Sequence, residues 1–335
     1  MKTVSVIIPC YNEEATIGLL LEAICGQTYP REFIEVIIAD GISTDQTRNV
    51  INKYVLQYPG LFLKIVDNPR RIIPAALNTA IRASTGEIIL RLDAHSIPRQ
   101  DYIERSVKNL ELGLGDNVGG VWMIEPGGEG WMAKSISLAA AHPLGVGDAM
   151  YRLGTSAGVV DTVPFGAFYR STLEQVGGYD ESLLTNEDYE LNTRIRMSGR
   201  RVYLDPEIRS VYYARANLAQ LAHQYWRYGY WKYRMLKRYP STLRWRQAIP
   251  PVFVLGILIL ILAGIWLPVA RWFLLGGLLF YIGVLMATSI TRAIKGNNIL
   301  LILGVPLAIA TMHCCWGSGF LWSLVTSIFE PRKRS

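Results

Sequence analysis

Through the first 123 residues, short apolar runs rich in Val and Ile alternate with longer stretches whose apolar positions recur every three or four residues. The short runs are 4–8, 33–39, 61–66, 87–92 and 117–123, and they predict strands. The stretches between them, 13–25, 44–58, 73–84 and 98–112, predict helices. In the first of these Ile17, Leu20, Leu21 and Ile24 share one face, and Gly26 is placed to end it. Strand and helix in strict alternation predict βαβ units, hence an α/β, Rossmann-like domain with a mostly parallel sheet. From 127 to 162 the chain turns Gly-rich and irregular around one predicted helix at 131–141. A break of that length in an α/β domain is expected to be a functional or a disordered loop. The alternation resumes with a strand at 163–170, helices at 171–176 and 186–197, and a strand at 202–204.

The pattern then changes kind. Residues 217–239 mix Trp and Tyr with Lys and Arg, which predicts a helix lying in the headgroup plane of a membrane. Beyond it, no Asp, Glu, Lys or Arg occurs in 247–270, 272–291 or 296–329. A span needs about 20 apolar residues, so membrane segments are expected at about 249–270, 272–291 and 299–328, and a wholly soluble fold is excluded. The first two would form a hairpin turning at 268–271 with both ends on the cytoplasmic side. The third is longer than one untilted span, and Pro306 with Gly317 and Gly319 is expected to break it into a re-entrant or interfacial piece. The side taken by Arg332, Lys333 and Arg334 is left open. Three domains result: 1–210, an α/β domain; 211–248, basic aromatic interfacial helices; and 249–335, transmembrane segments.

Charge sharpens this division. Of 27 acids, 26 precede residue 208, leaving residues 1–207 at −7 and residues 208–335 at +14. Nine bases and no acid lie between Arg209 and Arg246. Beside apolar spans, such an apron meets anionic lipid rather than nucleic acid. The run at 4–8 is too short for the core of a signal peptide, so the acidic domain is expected to stay in the cytosol, on the inner membrane of the cell. Cys10, Cys25, Cys314 and Cys315 fit no metal or disulfide spacing and are expected to be reduced.

Ligands of a parallel sheet bind beyond the carboxyl ends of its strands. That edge receives Pro9, Tyr11, Asn12, Glu13 and Glu14 after the first strand, Asp40, Gly41, Ser43 and Asp45 after the second, and Asp93, Ala94 and His95 after the fourth. Asp45 and Glu13 serve equally well as dressing for helix N-termini. Asp93 does not, because Ile88-Ile89-Leu90-Arg91-Leu92 delivers it from a buried strand. A carboxylate and an imidazole two residues apart on a loop can face one divalent ion, which would neutralise a nucleotide's diphosphate.

With these residues together, the chain resembles the GT-A-fold family 2 glycosyltransferases, inverting enzymes that use nucleotide-sugars. The resemblance rests on Val4-Ser5-Val6-Ile7-Ile8-Pro9-Cys10-Tyr11-Asn12-Glu13-Glu14, Ile38-Ala39-Asp40-Gly41-Ile42-Ser43-Thr44-Asp45 and Leu77-Asn78-Thr79-Ala80-Ile81. It continues through Gly86-Glu87-Ile88-Ile89-Leu90-Arg91-Leu92-Asp93-Ala94-His95, Gly177-Gly178-Tyr179-Asp180 and Asn186-Glu187-Asp188. It covers roughly residues 1–210. The Asp-Ala-His variant and the C-terminal segments are most similar to the succinoglycan-biosynthesis glucosyltransferase subgroup.

The resemblance implies that Pro9, Tyr11 and Glu13 cup the nucleoside, that Asp40 reads the uracil edge or its surroundings, and that Arg71 and Asn78 line the nucleotide pocket. It implies Asp93 and His95 as ligands of Mn²⁺ or Mg²⁺, with Asp93 also at the donor nucleotide. Because His95 stands where most members have a second Asp, an imidazole ligand would favour Mn²⁺. Asp188, preceded by Glu187, falls in the place of the catalytic base, and Gly166 in the segment lining the acceptor side. Gln224-Tyr225-Trp226-Arg227-Tyr228 is similar to a Gln-x-x-Arg-Trp motif, with Tyr228 for Trp, which implies Gln224 and Arg227 at the acceptor or diphosphate. The expected function is transfer of a sugar from a UDP-sugar, UDP-glucose foremost, to a lipid-linked (polyprenyl-diphosphate) saccharide, with membrane lipid and polysaccharide-assembly proteins as partners. Three other readings stand beside it: transfer directly to polyprenyl phosphate, a processive synthase, and a non-enzymatic nucleotide-sugar-binding scaffold.

Overall fold

The structure, a computed structural model, describes residues 1–154 and 156–329. The described residues form two compact units. One comprises Met1–Met123 and Met150–Tyr212; the other comprises Ile124–Ala149 and the chain from Tyr213 onward.

The first unit is built on a nine-stranded sheet. Its strands are β1 (Val4–Cys10), β2 (Ile34–Asp40), β3 (Phe62–Asp67), β4 (Ile88–Arg91), β5 (Ile97–Pro98), β6 (Asn117–Glu125), β7 (Gly158–Val159), β8 (Ala167–Tyr169) and β9 (Val202–Tyr213). They lie in the order β3-β2-β1-β4-β8-β6-β9-β5, with β7 on β9. β3, β2, β1 and β4 run parallel, as the alternation predicts, while β8 is antiparallel to both β4 and β6. Strand order reverses at β1, between β2 and β4, and such a reversal opens a crevice at the carboxyl edge. The helices of this unit are α1 (Ile17–Cys25), α2 (Thr47–Gln57), α3 (Ile73–Ala83) and α4 (Tyr102–Glu111). In α1 the predicted face of Ile17, Leu20, Leu21 and Ile24 is fully buried, in one core with Val4, Val6 and Ile8 of β1. Ile7, Ile37 and Ile89, pointing the other way, build a second core with Leu77 and Ala80 of α3. Two cores, one on each face, are what strands buried on both sides require.

The excursion after β6 is ordered and helical. It holds α5 (Gly130–Ala140) and α6 (Pro143–Val146), both in the second unit, before α7 (Met150–Leu153) returns to the first. The division thus differs from the expected continuous domain of 1–210, because the small buried face of α5 packs on an apolar helix far along the chain. α8 (Arg170–Val176) and α9 (Glu187–Met197) complete the first unit.

In the second unit follow α10 (Leu218–Leu236), α11 (Trp245–Trp266), α12 (Pro268–Lys295) and α13 (Leu301–Ile328). The last three are long and apolar enough to cross a membrane. α11 and α12 keep most of their side chains exposed, as lipid-facing helices do. They turn at Leu267, where Arg271 Nε donates to the Gly264 carbonyl at 2.6 Å and satisfies the end of α11. α13 is one continuous helix through Pro306, so the expected break is not there. Its glycines serve close packing instead: Gly304 admits Ser135 and Trp131 of α5, Gly317 the backbone of Pro250, and Gly319 the backbone of Trp226 in α10. Gly229 of α10 in turn lies on the backbone of Trp316. α10 is therefore packed along α13. Arg332, Lys333 and Arg334 lie outside the described residues.

Candidate active site

Among the described residues of the first unit, five other than glycine have positive φ: Asn12 (52°), Ile42 (59°), Arg71 (53°), Phe165 (50°) and Asn186 (68°). They follow β1, β2 and β3 and precede β8 and α9. Such conformations collect where loop geometry is dictated by a function. Asn12 shows what holds one of them: its Oδ1 accepts from Thr44 N–H at 2.9 Å, and its own N–H donates to Ser43 Oγ at 2.9 Å. The loops after β1 and β2 are thereby locked together.

On the loop after β1, Tyr11 is exposed, and the Arg71 guanidinium lies 5.3 Å from its ring centroid. Arg71 Nε also donates to the Gly41 carbonyl at 3.0 Å. At Gly41 an added Cβ would fall 2.9 Å from the Tyr11 ring, so glycine is what lets the loop pass. Pro9 lies in register with Ala39 of β2. Asp40 is wholly buried; its carboxylate accepts from Ser43 N–H at 3.0 Å and from Arg48 Nε at 2.5 Å. Those bonds tie Asp40 to the loop after β2 and to α2. Asn78 has its side-chain amide fully engaged. Its amide donates to the Tyr179 carbonyl (2.9 Å) and Glu181 Oε1 (2.8 Å) and accepts from Tyr179 N–H (2.8 Å). It ties α3 to the Gly177-Gly178-Tyr179-Asp180 turn.

The centre of the site is a residue that the motif reading passed over. Arg91, at the end of β4, has its side chain only 3% exposed and meets three carboxylates. Nε donates to Asp93 Oδ1 at 3.0 Å, Nη2 to Glu187 Oε1 at 3.1 Å, and Nη1 to Asp188 Oδ1. The sequence carried a signal for it: a charge within a strand buried on both faces needs partners in the core. Glu187 and Asp188 open α9, whose N-terminal dipole favours carboxylates. Burial drives the Asp188 carboxyl up, Arg91 pulls it down, and the charges of Glu187 and Asp93 raise it again, to about 7. Its side chain is still 27% exposed, so a substrate can reach it. The Tyr179 ring lies 5.9 Å from the Arg91 guanidinium, and Arg194 of α9 donates to the carbonyls of Val176, Gly177 and Gly178. The Gly-Gly-Tyr-Asp turn is thus the support beneath the arginine.

Asp93 and His95 lie on the loop after β4. His95 Nδ1 is 3.1 Å from Glu13 Oε1. Burial alone would raise the Glu13 carboxyl, but hydrogen bonds from His95 and Thr16 outweigh it and hold it below its ordinary value. A carboxylate behind an imidazole is the usual support of a metal-binding histidine. Among the described residues no three His, Cys, Asp or Glu form a metal cluster. One carboxylate and one imidazole fit a hard divalent ion that takes its remaining ligands from water and substrate phosphate.

Just before β8, the Gly166 carbonyl accepts from the Arg91 backbone N–H at 3.1 Å, and a Cβ at Gly166 would collide with the Asn117 amide. Asn117 donates to Asn192 of α9 at 2.5 Å, and Asn192 donates to Thr162 Oγ1 at 2.8 Å. Strand and helix are pinned there side by side. Gln224 and Arg227 lie on α10 in the second unit, where Gln224 Nε2 donates to the Tyr228 hydroxyl at 3.0 Å and Arg227 is exposed.

The family model for glycosyl transferase family 2 matches residues 5–177. The chain belongs to that family. It is 29% identical over 319 residues to the succinoglycan biosynthesis protein ExoA of Rhizobium meliloti (strain 1021), covering 94% of this chain and 93% of the relative. It is 27% identical to a dolichyl N-acetyl-α-D-glucosaminyl phosphate 3-β-D-2,3-diacetamido-2,3-dideoxy-β-D-glucuronosyltransferase of Methanococcus voltae, covering 97% and 98%. Among solved structures, the mannosyltransferase PcManGT of Pyrobaculum calidifontis, in complex with GDP-Man and Mn²⁺, superposes with a TM-score of 0.63 at 23% identity, over 96% of this chain and 87% of that one. The α/β sheet is thus a GT-A-type fold, and the protein is a glycosyltransferase with apolar C-terminal helices, as the resemblance implied.

Proposed function

We propose that the protein is an inverting glycosyltransferase that moves one sugar from a UDP-sugar, UDP-glucose foremost, to a lipid-linked saccharide in exopolysaccharide or cell-surface glycan biosynthesis. The observation that carries this reading is the partly exposed Asp188 carboxylate gathered with Asp93 about one buried arginine. An acceptor hydroxyl must lose its proton as it attacks, and a carboxylate of raised affinity for protons is suited to take it. The acceptor oxygen forms a bond to the anomeric carbon as the bond to the diphosphate breaks. The proton passes to Asp188, the electron pair leaves with UDP, and attack opposite the leaving group inverts the anomeric centre.

Tyr11, Arg71 and Glu13, with Pro9 and Asp40, hold the nucleoside end. Asp93 and His95 would hold Mn²⁺ or Mg²⁺, which supplies charge neutralisation at the diphosphate. Gly166 keeps the acceptor side open, and Gln224 and Arg227 are assigned to the acceptor's phosphates. A lipid-linked acceptor is supported by the name of the archaeal relative, which specifies a dolichyl phosphate-linked sugar, and by three helices suited to a membrane. The reading places the protein in the inner membrane with its catalytic unit in the cytoplasm.

The test is nucleotide release by detergent-solubilised protein with Mn²⁺, a panel of UDP-sugars and GDP-mannose, with and without a polyprenyl-linked saccharide extract. Release that needs one donor and the extract is the expected result. Release with polyprenyl phosphate alone would select direct transfer to the lipid, and long products would select a synthase. UDP bound but never released from any donor would leave a nucleotide-sugar-binding scaffold.

A further inference from the structure

Asp93 and the pair Glu187-Asp188 come from stretches nearly a hundred residues apart, yet they converge on one side chain. Arg91 has five N–H donors in a fixed plane, and here each of its three nitrogens faces a different carboxylate: Nε Asp93, Nη2 Glu187 and Nη1 Asp188. Three carboxylates repel one another, so their separations are set by the cation between them. The residue that carries the cation is itself held: its backbone N–H donates to the Gly166 carbonyl at 3.1 Å, and the Tyr179 ring lies 5.9 Å from its guanidinium. Tyr179 is fixed in turn by both polar atoms of the Asn78 amide. With its side chain 3% exposed, the guanidinium is enclosed and acts through its carboxylates rather than on a substrate.

We propose that Arg91 is a positioning residue for sugar transfer, holding the Asp188 carboxylate at a fixed separation from the metal-side carboxylate of Asp93. The inference rests on the reading of Asp188 as base. It distinguishes Arg91 from a mere core ion pair, because a displacement of about 1 Å in a reacting group costs roughly a hundredfold in rate. Lysine preserves the charge but has no planar fork, so it can neutralise the cluster without ordering it.

The test is Arg91→Lys in the full-length, detergent-solubilised protein, with UDP and Mn²⁺ as the binding probe. Turnover uses whichever donor and acceptor support release by the wild type. Expected are a kcat about a hundredfold lower, a donor KM and a UDP–Mn²⁺ affinity within about threefold of wild type, and a cycle with Asp188→Asn in which Arg91→Lys adds less than about threefold. A kcat within threefold of wild type overturns the proposal, as does a parallel loss of nucleotide binding. If Arg91→Lys alone does not fold, the double variant, which carries one less negative charge, is compared with Asp188→Asn; a further hundredfold loss there overturns it. If the wild type releases no nucleotide with any donor, the base reading falls. Crystal structures with UDP and Mn²⁺ then decide Arg91 separately: Asp188 displaced by about 1 Å or more in the lysine variant supports its role, and Asp188 unmoved removes it.

Discussion

In the proposed reaction Asp188 is the residue on which the chemistry turns, and its environment makes two of its properties measurable. Burial and the charges of Glu187 and Asp93 outweigh Arg91 and push its carboxyl up to about 7. A base must be ionised to act, so kcat/KM is expected to rise about tenfold per pH unit up to about 7 and to level off above it, as read from a pH–rate profile. Asp188→Asn is expected to lower kcat about 10²–10⁴-fold while leaving UDP–Mn²⁺ affinity within about threefold. The stability effect has a definite sign. A carboxyl whose pKa is raised from 3.8 to about 7 on folding stabilises the fold at acid pH, and that contribution is lost as pH climbs through the folded value. Asparagine does not titrate, so thermal denaturation of the variant relative to wild type should improve from pH 5 to pH 8. His95 and Asp93 were legible as a pair in the sequence. Arg91, which organises the cluster, was visible only as an unexplained charge in a buried strand.

At the scale of elements, two kinds of contact hold the functional parts in place. Asn78 uses its whole amide to pin the 177–181 turn, so Asn78→Leu leaves buried backbone groups of that turn unpaired. A loss of about 1–3 kcal/mol in unfolding free energy is expected, together with faster hydrogen exchange at Tyr179. In the second unit, Gly319 of α13 sits on the backbone of Trp226, and Gly229 of α10 on that of Trp316. Small residues at helix crossings allow backbones to touch, which is the main attraction available where lipid is as apolar as the side chains. Gly319→Leu therefore forces α10 away, and a lower melting temperature in detergent is expected, with an overpacking cost of about 1–3 kcal/mol. Gly317 and Gly319 read as helix breakers along the sequence, because a glycine's freedom is visible there while the neighbour it admits is not.

At the scale of the whole molecule, three helices are long and apolar enough to cross a membrane, and in the proposed topology α12 crosses it, with the turn at Leu267 and the connection at Asn297 on opposite sides. With Cys10, Cys25, Cys314 and Cys315 replaced by serine, an impermeant thiol reagent applied to intact cells should label Leu267→Cys from outside and Asn297→Cys only after lysis. The reverse pattern would refute a cytoplasmic catalytic unit. Much of this architecture follows from the chain alone. Strand and helix periodicity, uncharged runs and the split of charge between −7 and +14 are local or additive quantities, and they determined the parallel half of the sheet, the three apolar helices and the acidic clusters at the sheet's edge. The tertiary structure decided what depends on contacts between distant residues. It placed residues 124–149 with α13, because a weakly apolar helix finds its partner only in space. It kept α13 continuous, turned Asp40 and Asn78 into braces, and gave Asp93, Glu187 and Asp188 a common partner in Arg91. A side chain's role is set by what surrounds it, and no spacing along one strand records a carboxylate arriving from a helix nearly a hundred residues away.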